Sequence, residues 1–167
     1  MELYFEERTF KNYTTFIPLL LRVMAITKGK VVELGGGLYS TPLLHWMCKE
    51  QHRRVRTYER DPQYYELCRR FVSPTHEVIK VEDWNTQRIP GKFSVVLVDH
   101  DGFKDDTRAM SALSLKDRVE FIILHDTNHP EYYGYKKIYP QFKYRYTWKE
   151  EKPWTTVVSN LREMPWE

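Results

Sequence analysis

Short apolar runs alternate along this chain with amphipathic stretches, and that alternation sets the expected order of elements. Residues from about Asn12 to Thr27 place Phe16, Leu19, Leu20 and Val23 on one face of a helix. Lys30 to Leu34 is a first strand, Thr41 to Gln51 a helix, and Val55 to Tyr58 a second strand. Ser40 is the expected N-cap of that helix, and Pro42 sits in its first turn, where a missing N–H does no harm. Asp61-Pro62 caps a helix running to Phe71, followed by strands at His76 to Val81 and Phe93 to Val98. Asp105 to Lys116 reads as a helix, Val119 to Leu124 as a fifth strand and Glu131 to Ile138 as a short helix. Phe142 to Trp148 and Trp154 to Ser159 are β-rich runs joined by a polar turn with Lys152-Pro153, a hairpin signal. This order predicts an α/β fold: a mostly parallel sheet closed by an antiparallel hairpin. No linker or repeat divides residues 1–167, so the chain reads as a single domain.

Composition narrows the class. The chain is 41% hydrophobic, 29% charged and 15% aromatic, with a formal net charge of +3. Charges alternate in sign, which gives no clear nucleic-acid signature. Arg53-Arg54 with Arg56, and Arg69-Arg70, read as solvated ends of elements. Ile17 to Ile26 is broken by Pro18 and Arg22 and is too short to span a membrane. Cys48 and Cys68 stand apart on expected helices and read as reduced core thiols, the usage of a cytoplasmic protein.

The densest signal is the run Val31-Val32-Glu33-Leu34-Gly35-Gly36-Gly37-Leu38-Tyr39-Ser40. A buried strand delivers an acid and three glycines, and a helix follows at once. That geometry cradles a nucleotide-like cofactor. Roughly 20 residues on, Glu59 ends the second strand, where a ribose diol is held in nucleotide-binding sheets. The plainer alternative is a surface Glu paired with Arg60.

From about Tyr13 to Asn160 this organisation resembles the class I S-adenosylmethionine-dependent methyltransferases. Glu33, Gly35 and Gly37 match their first motif. Tyr39 stands at the third glycine, and Ser40-Thr41 matches a variant of the family. The resemblance implies a Rossmann-like three-layer α/β/α sandwich with a seven-stranded sheet, and S-adenosyl-L-methionine as cofactor. Gly35, Gly36 and Gly37 would admit its methionine portion, beside Ser40 and Thr41, and Glu33 would accept a hydrogen bond from its ammonium, directly or through water. Asp83 would meet the adenine amine and Trp84 the ring.

The chemistry is expected beyond the fourth and fifth strands, at Asp99-His100-Asp101 and His125-Asp126-Thr127. In the family's sheet order these strands are neighbours. Asp99 with His125 or Asp126 could act as a general base on a hydroxyl nucleophile. Alternatively Asp99 and Asp126 could hold a divalent metal such as Mg that lowers the hydroxyl's pKa. Some small O-methyltransferases of this fold hold a metal so, with an Asp or Asn where this chain has Thr127. A structural alternative has Asp126 capping the next helix.

Arg108-Ala109-Met110, Val119 to Leu124, His125-Asp126 and then Glu131 with Tyr132 or Tyr133 resemble the glucuronoxylan O-methyltransferase group. That implies a small-molecule or sugar hydroxyl as acceptor, with Arg108 binding a substrate carboxylate; the alternative pairs Arg108 with Asp105 or Asp106 on a helix surface. Tyr132 and Tyr133 could stack on a sugar or planar ring. A lid would come from the N-terminal segment and the loops at 100–108 and 127–140, and the edge bearing Trp148, Trp154 and Trp166 is a candidate homodimer surface.

Two other classes compete. Gly35-x-Gly37 also resembles the dinucleotide fingerprint, and Tyr132 to Lys136 has the Tyr-x-x-x-Lys spacing of an NAD(P)-dependent oxidoreductase. A non-catalytic cofactor-binding module is the third reading. The filled set Glu33, Glu59, Asp83, Asp99 and His125 weighs against decay to such a module.

Overall fold

The computed structural model describes residues 13–102 and 104–166. Seven strands form one sheet: β1 (Val31–Leu34), β2 (Val55–Glu59), β3 (His76–Lys80), β4 (Phe93–Val98), β5 (Val119–Leu124), β6 (Tyr144–Trp148) and β7 (Thr155–Ser159). Their spatial order is β3-β2-β1-β4-β5-β7-β6. The first five are mutually parallel, and β7 runs antiparallel to both β5 and β6. The hairpin therefore inserts its second strand against β5, leaving β6 at the edge. Helices α1 (Ile17–Ile26), α2 (Ser40–Glu50), α3 (Pro62–Arg69), α4 (Thr107–Leu115) and α5 (Tyr135–Ile138) complete the three-layer Rossmann-like sandwich.

The central strands are apolar because both of their faces are covered. β1 and β4 are buried along their whole length. Along β4, Val96 and Val98 enter a core with Leu115, Leu124 and Tyr135, while Val95 and Leu97 enter a second core with Leu19, Leu20 and Leu44. Alternate residues of a strand face opposite ways, so one short run serves two cores. Each fully buried aliphatic side chain contributes about 2 kcal/mol. Cys48 and Cys68 are buried free thiols, as expected.

Element ends depart from the sequence reading for local reasons. α1 begins at Ile17, with Pro18 in its first turn. A proline ring clashes with the carbonyl four residues back, so the helix starts there. Asn12, its expected first residue, and the segment before Tyr13 lie outside the described residues. Ser40 is not an N-cap: it is the first residue of α2, and Tyr39 occupies the cap position without a side-chain cap bond. Asp61, by contrast, caps α3 as expected, accepting from the N–H of Gln63 and Tyr64.

Arg53 is no solvated end. It is 3% exposed, and its Nε donates to Gly29 O at 2.6 Å while Nη1 and Nη2 reach Thr27 at 3.3 and 3.2 Å. A guanidinium there satisfies carbonyls that the C-terminal turn of α1 leaves open. Among the described residues no helix is long and apolar enough to cross a membrane. Trp148 and Trp166 pack inward against the core that holds Phe121.

Candidate active site

At the tip of β1 the chain turns through Gly35 with φ +93°, a left-handed backbone that favours glycine. A Cβ there would stand 2.4 Å from both N and Cα of His100. At Gly36 a Cβ would stand 2.3 Å from Cys68 Sγ. The glycines thus allow the tips of β1 and β4 to touch, with the loop resting on α3.

Glu33 braces this loop from behind. It is fully buried, and its Oε2 accepts from Thr57 Oγ1 at 2.6 Å and Thr41 Oγ1 at 2.9 Å. Thr41 Oγ1 in turn accepts the N–H of Gly37 at 3.0 Å. A buried carboxylate demands donors, which explains why Thr41 turns toward Glu33 instead of toward the N–H groups of its own helix. Burial pushes Glu33 up to about 7, against the hydrogen bonds of Ser40, Thr57 and Thr41. Among the described residues its Oε1 is a buried acceptor without a hydrogen-bond partner.

In front of the loop lies a cavity of about 400 Å3. Its wall includes Gly35, Gly36, Gly37, Ser40 and Glu59 on one side and Asp99, Arg108, His125 and Asp126 on the other. Sequence reasoning had singled out each of these. It had missed the aromatic wall of Tyr13, Phe16, Tyr39 and Tyr64; Phe16 carried an apolar-face signal and Tyr64 follows the Asp61 cap, but neither signal marks a cavity. Glu59 is 6% exposed, and its two oxygens accept the N–H of Gly36 at 2.7 Å and of Asp61 at 2.6 Å. Each oxygen keeps a further acceptor site. Arg60 pairs with Asp101, not with Glu59.

Six expected site residues lie outside this wall: Glu33 and Thr41 are fully buried behind the loop, so Glu33 does not face the cavity where an ammonium was expected to meet it, and four more lie elsewhere. Asp83 accepts from the backbone and side chain of Asn85 at 3.0 Å, closing a local turn. Trp84 is core: its ring stacks on His100 at 3.9 Å, and its Nε1 donates to Asp101 at 2.5 Å. Tyr132 stacks on His129 at 5.0 Å. Tyr133 lies beneath the Arg108 guanidinium, 4.2 Å away. With Tyr132 off the cavity and Lys136 exposed, the dehydrogenase-like spacing assembles no site.

Two anions and two cations meet at the ends of β4 and β5. Arg108 is 6% exposed, and its Nη1 lies 3.2 Å from Asp99 Oδ1 and 2.9 Å from Asp126 Oδ2. This corrects both earlier readings of Arg108. It is not on the surface of α4 pairing with Asp105 or Asp106, and its charge is already matched by two carboxylates, leaving little for a substrate's. Its remaining donors go to the backbone carbonyls of His100 and Asp99.

His125 sits beside it, 2% exposed, with Nδ1 3.1 Å from Asp99 Oδ1 and Nε2 3.0 Å from Thr15 Oγ1. Thr15 spends its single hydroxyl proton on Pro153 O at 2.6 Å, so Nε2 must donate to it. Nδ1 donates to the Asp99 carboxylate. His125 is therefore an imidazolium, and as such it is not a general base. Burial opposes its charge, but Asp99 outweighs burial and raises its pKa. Burial likewise pushes Asp99 up, yet His125 and Arg108 together hold it below its usual range.

Asp99, His125 and Asp126 bring ligand atoms within 4.8 Å of one another. A divalent ion does not fit this donor set as arranged. The Arg108 guanidinium occupies the place between the two carboxylates, and the His125 nitrogen that faces them carries a proton. Thr127 holds the hairpin, accepting from Thr156 Oγ1 at 2.9 Å. Asp126 has φ +59°, and a strained non-glycine backbone beside a cavity is characteristic of functional sites.

The perturbed acids fix a pH dependence. Glu33 titrates near 7 in the fold against 4.5 when unfolded, so the stability it contributes is complete below pH 4.5 and lost as pH rises through 7. His76 and His100, lowered by burial from 6.5 to about 4, act oppositely, losing stability as pH falls through that window. The difference in unfolding free energy between the native chain and Glu33→Gln should therefore fall by about 2.5 kcal/mol from pH 5 to pH 8. Urea unfolding at stepped pH measures it, and a difference independent of pH would refute the assignment.

No family model and no curated protein matches this sequence. Solved structures share its fold. Cofactor-bound Rv0187 from MTB superposes with a TM-score of 0.64 at 16% identity, over 97% of this chain and 84% of that one. The N-terminal domain of human METTL16 in complex with SAH gives 0.63 at 12% identity, over 88% of this chain and 69% of that one. A human methyltransferase 10 domain containing protein gives 0.63 at 12%, over 89% and 84%. The likeness is one of architecture: the chain has the fold of the class I S-adenosylmethionine-dependent methyltransferases.

Proposed function

We propose that this chain is an S-adenosylmethionine-dependent methyltransferase acting on a hydroxyl of a small molecule or sugar. The observation that carries the reading is a single cavity with a side-chain-free glycine loop on one wall and the Asp99–His125–Arg108–Asp126 cluster on the other. Its volume suits a nucleoside-sized ligand. The open acceptor sites of Glu59 fit a ribose diol, and the glycine loop fits a ligand that must approach backbone closely. When bound there, S-adenosylmethionine would supply an electrophilic methyl group on a sulfonium.

The chain's own residues then divide the work. Asp99 commits Oδ1 to His125 and Arg108 and keeps Oδ2 outside those contacts, with a fifth of its side chain (21%) exposed. That oxygen accepts the hydrogen bond of an acceptor hydroxyl and orients its lone pair. Two flanking cations make Asp99 a weak base, so it takes the proton late, as the oxygen gains its new bond and becomes strongly acidic. His125 and Arg108 keep Asp99 ionised, and the buried Phe16 ring covers one side of His125.

Transfer of label from S-adenosylmethionine to a panel of hydroxyl acceptors tests this. Asp99→Asn should lower kcat about 100-fold or more, the scale of a lost proton acceptor. Unchanged turnover would remove Asp99 from the chemistry. A thermal shift with NADH or NADPH but none with S-adenosylmethionine would overturn the cofactor, and binding without transfer would favour the module.

A further inference from the structure

A line of hydrogen bonds runs from the surface of α2 to the buried carboxylate behind the glycine loop. His45, half-buried on α2, has its Nδ1 3.1 Å from Nδ1 of His76 on β3. His76 is 1% exposed, and its Nε2 lies 2.9 Å from Thr57 Oγ1. Thr57 reaches Glu33 Oε2 at 2.6 Å, and Thr41 continues the line from Glu33 to the N–H of Gly37.

One proton per hydroxyl makes the line directional. With Glu33 ionised, Thr57 donates to it and accepts from His76 Nε2–H. His76 Nδ1 is then a lone pair and accepts from His45 Nδ1–H. With Glu33 protonated on Oε2, every bond reverses: Glu33 donates to Thr57, Thr57 to His76 Nε2, and His76 Nδ1–H to His45. The change moves three protons one step each, from His45 to His76, from His76 to Thr57 and from Thr57 to Glu33. Solvent returns one proton to the other nitrogen of His45, so one proton taken up outside appears on Glu33.

We propose that His45, His76 and Thr57 form a proton relay through which solvent pH sets the charge on Glu33 and so regulates ligand affinity at the glycine loop. For the identity of the ligand, the proposal rests on the S-adenosylmethionine reading above. An ionised Glu33 keeps Thr41 donating to it, which leaves the Thr41 oxygen as acceptor for Gly37 N–H, and its field favours a ligand bearing an ammonium. Protonation removes that field; Thr41 still donates to a lone pair of Oε2 and still accepts Gly37 N–H, so the charge itself is what the ligand reads.

The neighbours leave the relay legible. Glu33 is faced by Cys48 on α2, Glu59 on β2 and Cys68 on α3, and β4 presents Leu97 opposite it. Burial pushes Cys48 up to about 11, with Arg53 beside it, and Cys68 up to about 12, so both stay thiols. His76 is held neutral down to about 4 by burial and by His45. His45 is itself lowered by burial and Lys49, and bonds to the backbone of Phe71. Glu59 titrates near 7 as well, through burial, so the test must read each site separately.

In the ligand-free protein, carboxyl 13C shifts follow Glu33 while long-range 1H–15N spectra report the His76 tautomer. His76 should switch between Nδ1–H and Nε2–H with the same midpoint as Glu33. Glu33→Gln should freeze the tautomer, and Thr57→Ser should preserve the switch. Thr57→Val should abolish the switch and raise the Glu33 midpoint by about one pH unit, the cost of one lost hydrogen bond to the charged form. Calorimetric affinity for S-adenosylhomocysteine should strengthen as pH rises through the native midpoint, and the Thr57→Val curve should lie correspondingly higher. A His76 tautomer that ignores Glu33, or a switch that survives Thr57→Val, overturns the relay. Loss of S-adenosylhomocysteine binding at every pH, with the tautomer switch intact, would overturn the cofactor reading and leave the relay standing.

Discussion

Arg108→Met will cost the fold about 4 kcal/mol, because it leaves two largely buried carboxylates with His125 as their one remaining cation. Asp99 and Asp126 lie 3.2 and 2.9 Å from the same Nη1, and Arg108 itself is 6% exposed. Methionine fills much of the volume, so the loss is electrostatic and not a cavity. Two consequences distinguish it from general damage. Adding Asp126→Asn to Arg108→Met should recover part of the stability, since it removes one of the two stranded charges. The pKa of Asp99 should also rise, moving the acid limb of any pH–rate profile upward. Guanidinium-chloride unfolding of the single and double variants measures the first; a double variant less stable than Arg108→Met would refute the shared-cation account.

Gly35→Ala should be nearly as severe, at about 3 to 4 kcal/mol from overpacking together with a left-handed alanine. The clash is with backbone: the new Cβ would meet N and Cα of His100 at 2.4 Å. No rotamer change relieves that. The tips of β1 and β4 are held by Asp99 N to Leu34 O at 2.8 Å, and β1 to β2 by Gly35 N to Tyr58 O at 2.9 Å. Separating them displaces Asp99, so ligand binding should vanish along with stability. Gly37→Ala is the control. Its Cβ would meet Ser40 Oγ at 3.3 Å, a side chain that can turn. Thermal melts with and without S-adenosylhomocysteine compare the two, and equal tolerance at both positions would contradict this geometry.

Arg108 and Gly35 also mark how far the residues could be read unaided. Gly35 announced itself, because a triple glycine after an apolar strand has few other uses. Arg108 was noticed on a sequence pattern, yet both of its expected partners were wrong. Asp105 and Asp106 are close along the chain, whereas Asp99 and Asp126 are close only once β4 and β5 pair. Glu33 shows the same limit. Its type and position mark a cofactor loop, but its full burial, and its coupling to His45 across β2 and β3, depend on neighbours 24 and 43 residues away on average paths no local pattern encodes.

What the sequence determined by itself was the set of elements and the contents of their ends. Phe93–Val98 and Val119–Leu124 came out to the residue, because short runs rich in β-branched and other apolar residues, interrupted only by Ser94 and Glu120 and bounded by polar ones, fit doubly covered strands. Glu59, Asp99 and Asp126 were visible as acids at or just beyond strand ends, and Glu33 as an acid inside a short apolar strand that runs straight into three glycines. Tertiary structure decided which of these face one another. It placed β7 between β5 and β6, set Arg108 between two acids, spent the Thr15 proton on Pro153 and so charged His125. It also moved Asp83, Trp84, Tyr132 and Tyr133 off the cavity wall. Strand and helix periodicities are local, while the charge and proton state of a site are set by groups that only the sheet order brings together.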